Sequence, residues 1–258
     1  MTSIREEMWT NRAILFNFAI SDLKVRYRNS ILGVLWSIIQ PLLMLSVHNF
    51  VISTMFKFDI PNFPIYLLLG IIIYNCFKNG TSFALNSLTN RSALITQIYF
   101  PRSIPAISSA ITASIMLAIE VGILLIFMIA FQFVPPITIL LLPLVLGLQF
   151  MFVVGVCLPL SVLNVKFKDT EFIWNVVVHA SFFLTPIFYQ FDMLPEYVQN
   201  ILQFSPMVQI LTMAHHVVLY GMLPTVTSIL YAVCSISVIT LIGYLIFRKY
   251  QTKIVEDM

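Results

Sequence analysis

The sequence predicts an all-α integral membrane fold. It would have six transmembrane helices, an N-terminal amphipathic interface helix, short re-entrant outer helices between spans five and six, and both termini cytoplasmic. Three observations carry this prediction. Hydrophobic residues make up 59% of 258 positions and charged residues only 10%, whereas a soluble domain averages roughly 45–50% apolar. No soluble fold of this length could hide that much apolar surface. The apolar residues fall into runs of spanning length, broken by charged or proline-bearing segments. Six spans also place twelve of the fourteen Lys and Arg residues on one side, leaving Lys57 outside and Lys78 within a span, which is the positive-inside arrangement. Residues 1–258 therefore form one transmembrane domain. The three cysteines, Cys76, Cys157 and Cys234, stand singly in apolar runs, so neither a disulfide framework nor a metal site is expected.

Residues 1–30 form the cytoplasmic interfacial segment. Over 5–28, Trp9, Ala13, Phe16, Ile20, Leu23 and Tyr27 keep the spacing of one apolar helix face, flanked by Arg12, Asp22 and Arg26. Such a helix would lie along the inner membrane surface. Lys24, Arg26 and Arg28, directly before a hydrophobic span, orient the N-terminus inward and attract anionic lipid. Ile14, Phe18 and Val25 form a second row, suited either to a soluble partner or to packing within the protein. The segment lacks a cleavable signal's short apolar core and small-residue site, so the first span is expected to act as an uncleaved anchor.

The first span, 31–56, contains Pro41 as an expected kink. Gly33, Ser37, Gln40, Met44 and His48 share one face, which should meet protein or water. An outer loop with Lys57 and Asp59 is closed by Pro61 and Pro64. The second span, 63–86, turns polar as it descends: Asn75, Asn79, Ser82 and Asn86 fall on one narrow stripe. Such a stripe either lines a wet conduit or packs helix against helix through hydrogen bonds. The inner loop 87–103 holds Arg91 and Arg102, with Leu94, Ile95 and Ile98 suited to a short amphipathic helix ended by Pro101.

The third span, 104–133, contains Glu120, the one acid well inside a span, and ends at the turn Val134-Pro135-Pro136. The fourth, 137–163, leads to the mixed-charge inner loop N-V-K-F-K-D-T-E. The fifth, 172–191, is dense in aromatics: Phe172, Trp174, Phe182, Phe183, Phe188 and Tyr189. Residues 192–222 carry Asp192 and Glu196 but no Lys or Arg, which fits the outer side. Pro195, Ser205-Pro206 and Gly221 punctuate them, and the apolar part is short of the ~20 residues a spanning helix needs. Two short half-helices dipping into the outer face are expected. The sixth span, 224–247, precedes Arg248, Lys249 and Lys253 on the inner side.

No G-x-x-x-x-G-K-[ST] loop occurs in this sequence, nor any Gly-Lys pair. His215 and His216 are adjacent and face apart on a helix. No serine–histidine–acid grouping or paired carboxylates stand at useful spacing, so the chain is not expected to be an enzyme. Lys78 and Glu120 are the intramembrane ionisable groups, and a charge at mid-span costs about 2.5–3.5 kcal/mol. They would form a partly wetted pair or snorkel, or else serve as the ion site of a secondary transporter or channel, the alternative function.

Four stretches, in order, carry a family resemblance. They are D-L-K-V-R-Y-R-N-S-I-L-G-V-L-W-S-I-I-Q-P from Asp22, and N-R-S-A-L-I-T-Q-I-Y-F-P-R-S-I-P from Asn90. N-V-K-F-K-D from Asn164 with F-F-L-T-P-I-F-Y from Phe182 is the third, and L-P-E from Leu194 with Ser205-Pro206 the fourth. Together they resemble the permeases of type-2 ABC polysaccharide exporters, a family that includes O-antigen, capsule and teichoic-acid export. The chain departs from the family pattern at Thr96, Gln97, Lys168, Ser205 and His215.

The resemblance implies the membrane subunit of an ATP-driven exporter of a lipid-linked polysaccharide, in the cytoplasmic membrane of a prokaryote. It implies a homodimer with two ATPase subunits, ATP and Mg bound on those partners, no cofactor on this chain and no nucleic acid. Asn90–Pro101 would be the coupling helix, touching the ATPase through Arg91, Leu94, Ile95, Ile98, Tyr99 and Arg102. A groove-bound helix rests on apolar anchors, so Leu94 and Ile98 should outweigh Arg91. The interface helix would act through Trp9, Phe16, Lys24, Arg26 and Arg28. The conduit would be lined by Gln40, Asn75, Asn79, Ser82, Asn86, Phe182, Phe183 and Tyr189, and residues 192–222 would gate its exit.

Overall fold

The computed structural model describes residues 11–55, 60–97 and 100–251, and every regular element among them is helical. Trp9, Lys57, Asp59, Ile98, Tyr99 and Lys253 lie outside the described residues. The elements are α1 (Arg12–Tyr27), α2 (Trp36–Met55), α3 (Phe63–Leu85), α4 (Ser92–Gln97) and α5 (Ser103–Ala130). They continue with α6 (Leu142–Lys166), α7 (Asp169–Leu184), α8 (Glu196–Leu202), α9 (Pro206–His215) and α10 (Val226–Tyr250). Pro41 stands inside α2 without ending it. As the sequence predicts, Pro206 opens α9. A π-turn, His216–Tyr220, extends that helix to Gly221, whose φ of 67° provides the left-handed stop.

Five stretches are long and apolar enough to cross a membrane: Gly33–Ile52, Phe63–Leu85, Ser103–Ala130, Ile137–Lys166 and Val226–Tyr250. The segment expected as span five, 172–191, differs. It is helical only to Leu184, because Thr185 precedes Pro186 and takes an extended backbone, the conformation that a following proline ring favours.

The bundle is organised around α3. Of its most apolar stretch 72% is buried, against 33% or less in the other four. Small residues let its neighbours approach: a Cβ on Gly80 would lie 2.5 Å from Val153, and one on Gly70 3.0 Å from Ile187. Helix α6 sends side-chain donors into the α3 backbone along its length. Gln149 Nε2 reaches the Ile73 carbonyl at 3.2 Å, Cys157 Sγ the Gly80 carbonyl at 3.3 Å, and Asn164 Nδ2 the Leu85 carbonyl at 3.0 Å. Both numbers rise together, so α3 and α6 run parallel. The Tyr74 hydroxyl donates to the Val178 carbonyl of α7, and the Tyr66 hydroxyl donates to the Tyr189 carbonyl at 2.7 Å.

Helix α1 packs against the bundle, mainly along the second of the two rows that the sequence offered. Leu15 and Ala19 are buried, and Ile14 and Phe18 pack with Phe100, Ile104 and Ile107. The protein-facing side is therefore the Ile14/Phe18 row with Leu15 and Ala19, while Phe16, Ile20 and Val25 are exposed. Thr112 Oγ1 of α5 donates to the Ala19 carbonyl at 3.4 Å. Phe18 and Asp22 meet Arg91, and Arg26 lies over Phe83. Later residues of α1 thus meet earlier residues of the α3 segment. The helix climbs alongside the bundle, antiparallel to α3.

Candidate functional site

From Ile65 to Leu88, α3 and the turn after it are buried except at Asn75, Lys78, Asn79, Ser82, Phe83 and Asn86. At 100° per residue these fall within one arc. The predicted stripe is therefore the accessible face of an otherwise enclosed helix. Asn86 Oδ1 accepts from Asn164 Nδ2 at 3.1 Å, which fixes the lower end of the stripe to α6. The stripe can offer amide and hydroxyl groups to a polar molecule passing along it.

The two intramembrane charges do not pair with each other. Glu120 is only 3% exposed, and no salt bridge joins it to Lys78 among the described residues. Lys78 has no ion-pair partner among the described residues, where the salt bridge is Arg91 with Asp22. A Lys78–Glu120 ion site is not assembled in this structure.

The other conduit candidates divide. Gln40 is exposed on α2, whereas Ser37 on the same predicted face is buried and bonds to the Tyr27 hydroxyl. Phe182 sits among rings of its own chain: Tyr74 at 5.1 Å, His48 at 5.6 Å and Phe183 at 5.5 Å between centroids. Phe183 is 66% exposed. The Tyr189 hydroxyl turns back to donate to the Leu184 carbonyl at 3.0 Å, closing the end of α7.

At the inner loops, α4 presents Leu94 outward and packs Ile95 inward against the cluster that holds Leu15 and Phe100. Arg91 is committed within the chain. It pairs with Asp22, lies 4.6 Å above the Phe18 ring and reaches the Ser87 carbonyl. Burial pushes the Asp22 carboxyl above its usual value, with the Arg91 charge pulling the other way. Arg102 donates to the Gln251 carbonyl, which ties the loop to the end of α10. Lys24, Arg26 and Arg28 are exposed, as is Phe16.

Two features lay outside the sequence reading. Asp22 was visible only as a flank of an apolar face, since its partner Arg91 is 69 residues away. The Tyr66 ring stacks on His215 at 3.7 Å between centroids, and His215 Nε2 lies 3.1 Å from the Tyr66 carbonyl. The signal for this pair was a histidine inside an apolar run, which names no partner.

The described residues form a helical bundle with five helices of membrane-spanning length and one polar face on the central helix, the architecture of a multi-pass membrane protein. The chain belongs to the ABC-2 type transporter family, whose model matches residues 17–219. It is 28% identical over 256 residues to an O-antigen export system permease protein RfbA of Klebsiella pneumoniae, covering 97% of this chain and 98% of that one. It is 25% identical over 243 residues to the protein of that name from Myxococcus xanthus, covering 93% of each. In such systems this domain is the transmembrane subunit, and nucleotide binds a separate ATPase.

Proposed function

We propose that this chain is the membrane-spanning subunit of an ATP-driven exporter that moves a lipid-linked polysaccharide across the cytoplasmic membrane. The observation that carries the reading is the near end-to-end likeness to O-antigen export permeases of two organisms. The polar face of α3 supports it, because a glycan needs amide and hydroxyl partners along its path. Two copies of the chain would join two ATPase subunits that hold ATP and Mg. Six spans are proposed, with α7 as the fifth and the non-helical residues 185–190 completing its crossing. Both termini are then cytoplasmic. The parallel run of α3 and α6 supports this order. The α4 helix receives the ATPase stroke, and α8 with α9 gates the exit. Although drawn from the outer side, α9 is buried from Pro206 to Leu211, so the gate is a packed element.

Co-expression with the neighbouring ATPase gene tests the proposal. The two subunits should co-purify and show ATP-dependent export. If no ATPase co-purifies and an ion gradient alone drives transport, the proposal fails.

A further inference from the structure

Lys166 closes α6 and Tyr250 closes α10, and the two meet: the Lys166 ammonium lies 4.6 Å from the centre of the Tyr250 ring. Further back along the same two helices Gly155 meets Thr240, so α6 and α10 run parallel and end on one side. Lys249 reaches the Tyr250 ring at 5.7 Å, and Lys166 also lies 5.2 Å from the exposed Phe167 ring. Two ammonium groups from two helices are thus held within about 10 Å of each other, roughly one screening length in ordinary salt. Tyr250 itself packs on the cluster that holds Val165 and Phe247, which fixes the ring between them.

Neither lysine has an acidic partner among the described residues, where the salt bridge is Arg91 with Asp22. The acids next in the chain, Asp169 and Glu171, stand in the first turn of α7, whose positive end favours them there. The carbonyl ends of α6 and α10 do attract the lysines, but each is worth only roughly half a negative charge. Together they offset about one of the two positive charges and leave the other for a single anionic group. Beyond Lys249 the exposed face of α10 is apolar. Val238, Ile242 and Leu245 stand eleven, seven and four residues before Lys249, so the four side chains form one exposed row.

Resting on the proposed inner placement of both helix ends, we propose that they hold an anionic phospholipid of the inner leaflet. Its phosphodiester sits between Lys166 and Lys249, and one acyl chain runs along Leu245, Ile242 and Val238. A row of bare aliphatic groups leading to a pair of cations matches a chain leading to its headgroup. Basic pockets between helix ends on the cytoplasmic side bind acidic headgroups in this way. A zwitterionic lipid carries its own cation and so gains little from the lysines. The bound lipid joins the ends of α6 and α10 through charge, where the two lysines alone would repel.

Native mass spectrometry of the full permease chain, purified in detergent and titrated with phosphatidylglycerol, tests the site. Phosphatidylcholine, which has no net charge, and glycerol phosphate, which has no chains, are the comparisons. Phosphatidylglycerol should bind at least about tenfold tighter than either. Lys166→Gln and Lys249→Gln should each weaken it about fivefold, the effect of one lysine beside an anionic headgroup. Lys168→Gln removes an equal charge from the exposed loop after Phe167 and should stay within about twofold of the wild type. Each variant keeps eleven of the twelve inner basic residues, so insertion and orientation should hold. Equal binding of phosphatidylcholine or of glycerol phosphate would overturn the proposal. So would equal weakening by Lys168→Gln, because a diffuse surface charge would then explain the binding. Lysine variants that keep their lipid affinity but lose the native dimer or the ATPase would also overturn it, since the pair would then belong to a protein contact. The lipid titration of the wild type reads neither ATPase co-purification nor export, so the export proposal stands or falls separately.

Discussion

Gly243 of α10 rests on the backbone of Gly155 in α6: a Cβ at Gly243 would lie 2.2 Å from the Gly155 carbonyl oxygen. Pro159 closes the same contact at 3.1 Å, and Thr240 crowds Gly155 from the other side. The two helices touch through their main chains, as membrane helices do where small residues meet. Gly243→Ala should therefore destabilise the purified protein by about 1–3 kcal/mol through overpacking. Gly122→Ala and Gly147→Ala, in helix interiors where no atom lies within 4 Å, should leave it unchanged or raise it by up to about 1 kcal/mol. Thermal unfolding in detergent compares the three, and equal stability of all three would refute the close contact.

On α4, the two aliphatic neighbours should separate two kinds of failure. Leu94 faces outward and Ile95 packs inward. Leu94→Asp should leave a folded permease that inserts normally yet loses most export, because it places an unpaired charge at the proposed ATPase contact. Ile95→Asp buries that charge in the protein's own core and should cost about 3 kcal/mol or more of stability. Pull-down of the ATPase and melting curves read the two effects. A Leu94→Asp chain that still exports at the normal rate would remove α4 from the coupling path.

Tyr66 fastens the stretch after α7. Its hydroxyl donates to the Tyr189 carbonyl at 2.7 Å and lies 3.3 Å from that of Pro186. Tyr66→Phe keeps the stack on His215 but removes the tether, a loss of about 1 kcal/mol. Amide exchange over 185–190 should then speed up roughly fivefold, while α3 and α9 stay protected. Unchanged exchange would show that Ile187, seated against Gly70, holds the segment alone.

The Asp22–Arg91 pair has a pH signature. Burial raises the Asp22 carboxyl above its ordinary 3.8, outweighing the opposing pull of Arg91. A raised folded-state value means that folding favours the protonated acid. This group's contribution is present below the unfolded value and lost as pH rises through the folded one. Compared with Asp22→Asn, the wild type should therefore gain stability as pH falls from neutrality toward the ordinary carboxyl value of 3.8. Melting temperatures of the two chains across that range test the sign. A relative loss by the wild type would show that attraction to Arg91 dominates.

Local signals located most of the helices because they act over a few residues. Ser205-Pro206 and Gly221 marked two short helices where hydropathy alone would have drawn one. The amides from Asn75 to Asn86 likewise marked the open face of α3, since polar groups are not left against lipid. The end of the fifth helix at Leu184 was not legible, because the aromatic run hides the break at Thr185-Pro186. The docked side of α1 was legible in part, as the Ile14/Phe18 row, but Ala19 carries little apolar signal and is buried where Thr112 of another helix meets it.

The enclosure of α3 also bears on how the protein is made. It is the least apolar of the five long helices and carries Lys78, so it partitions into lipid least readily by itself. Of the helices that shelter it in the finished bundle, α2 precedes it in the chain, whereas α5, α6, α7 and α9 all follow. A ribosome delivers α3 to the insertion machinery before most of that shelter exists. Its integration therefore depends on later segments, and the bundle is assembled by closing around a helix that has waited for its neighbours.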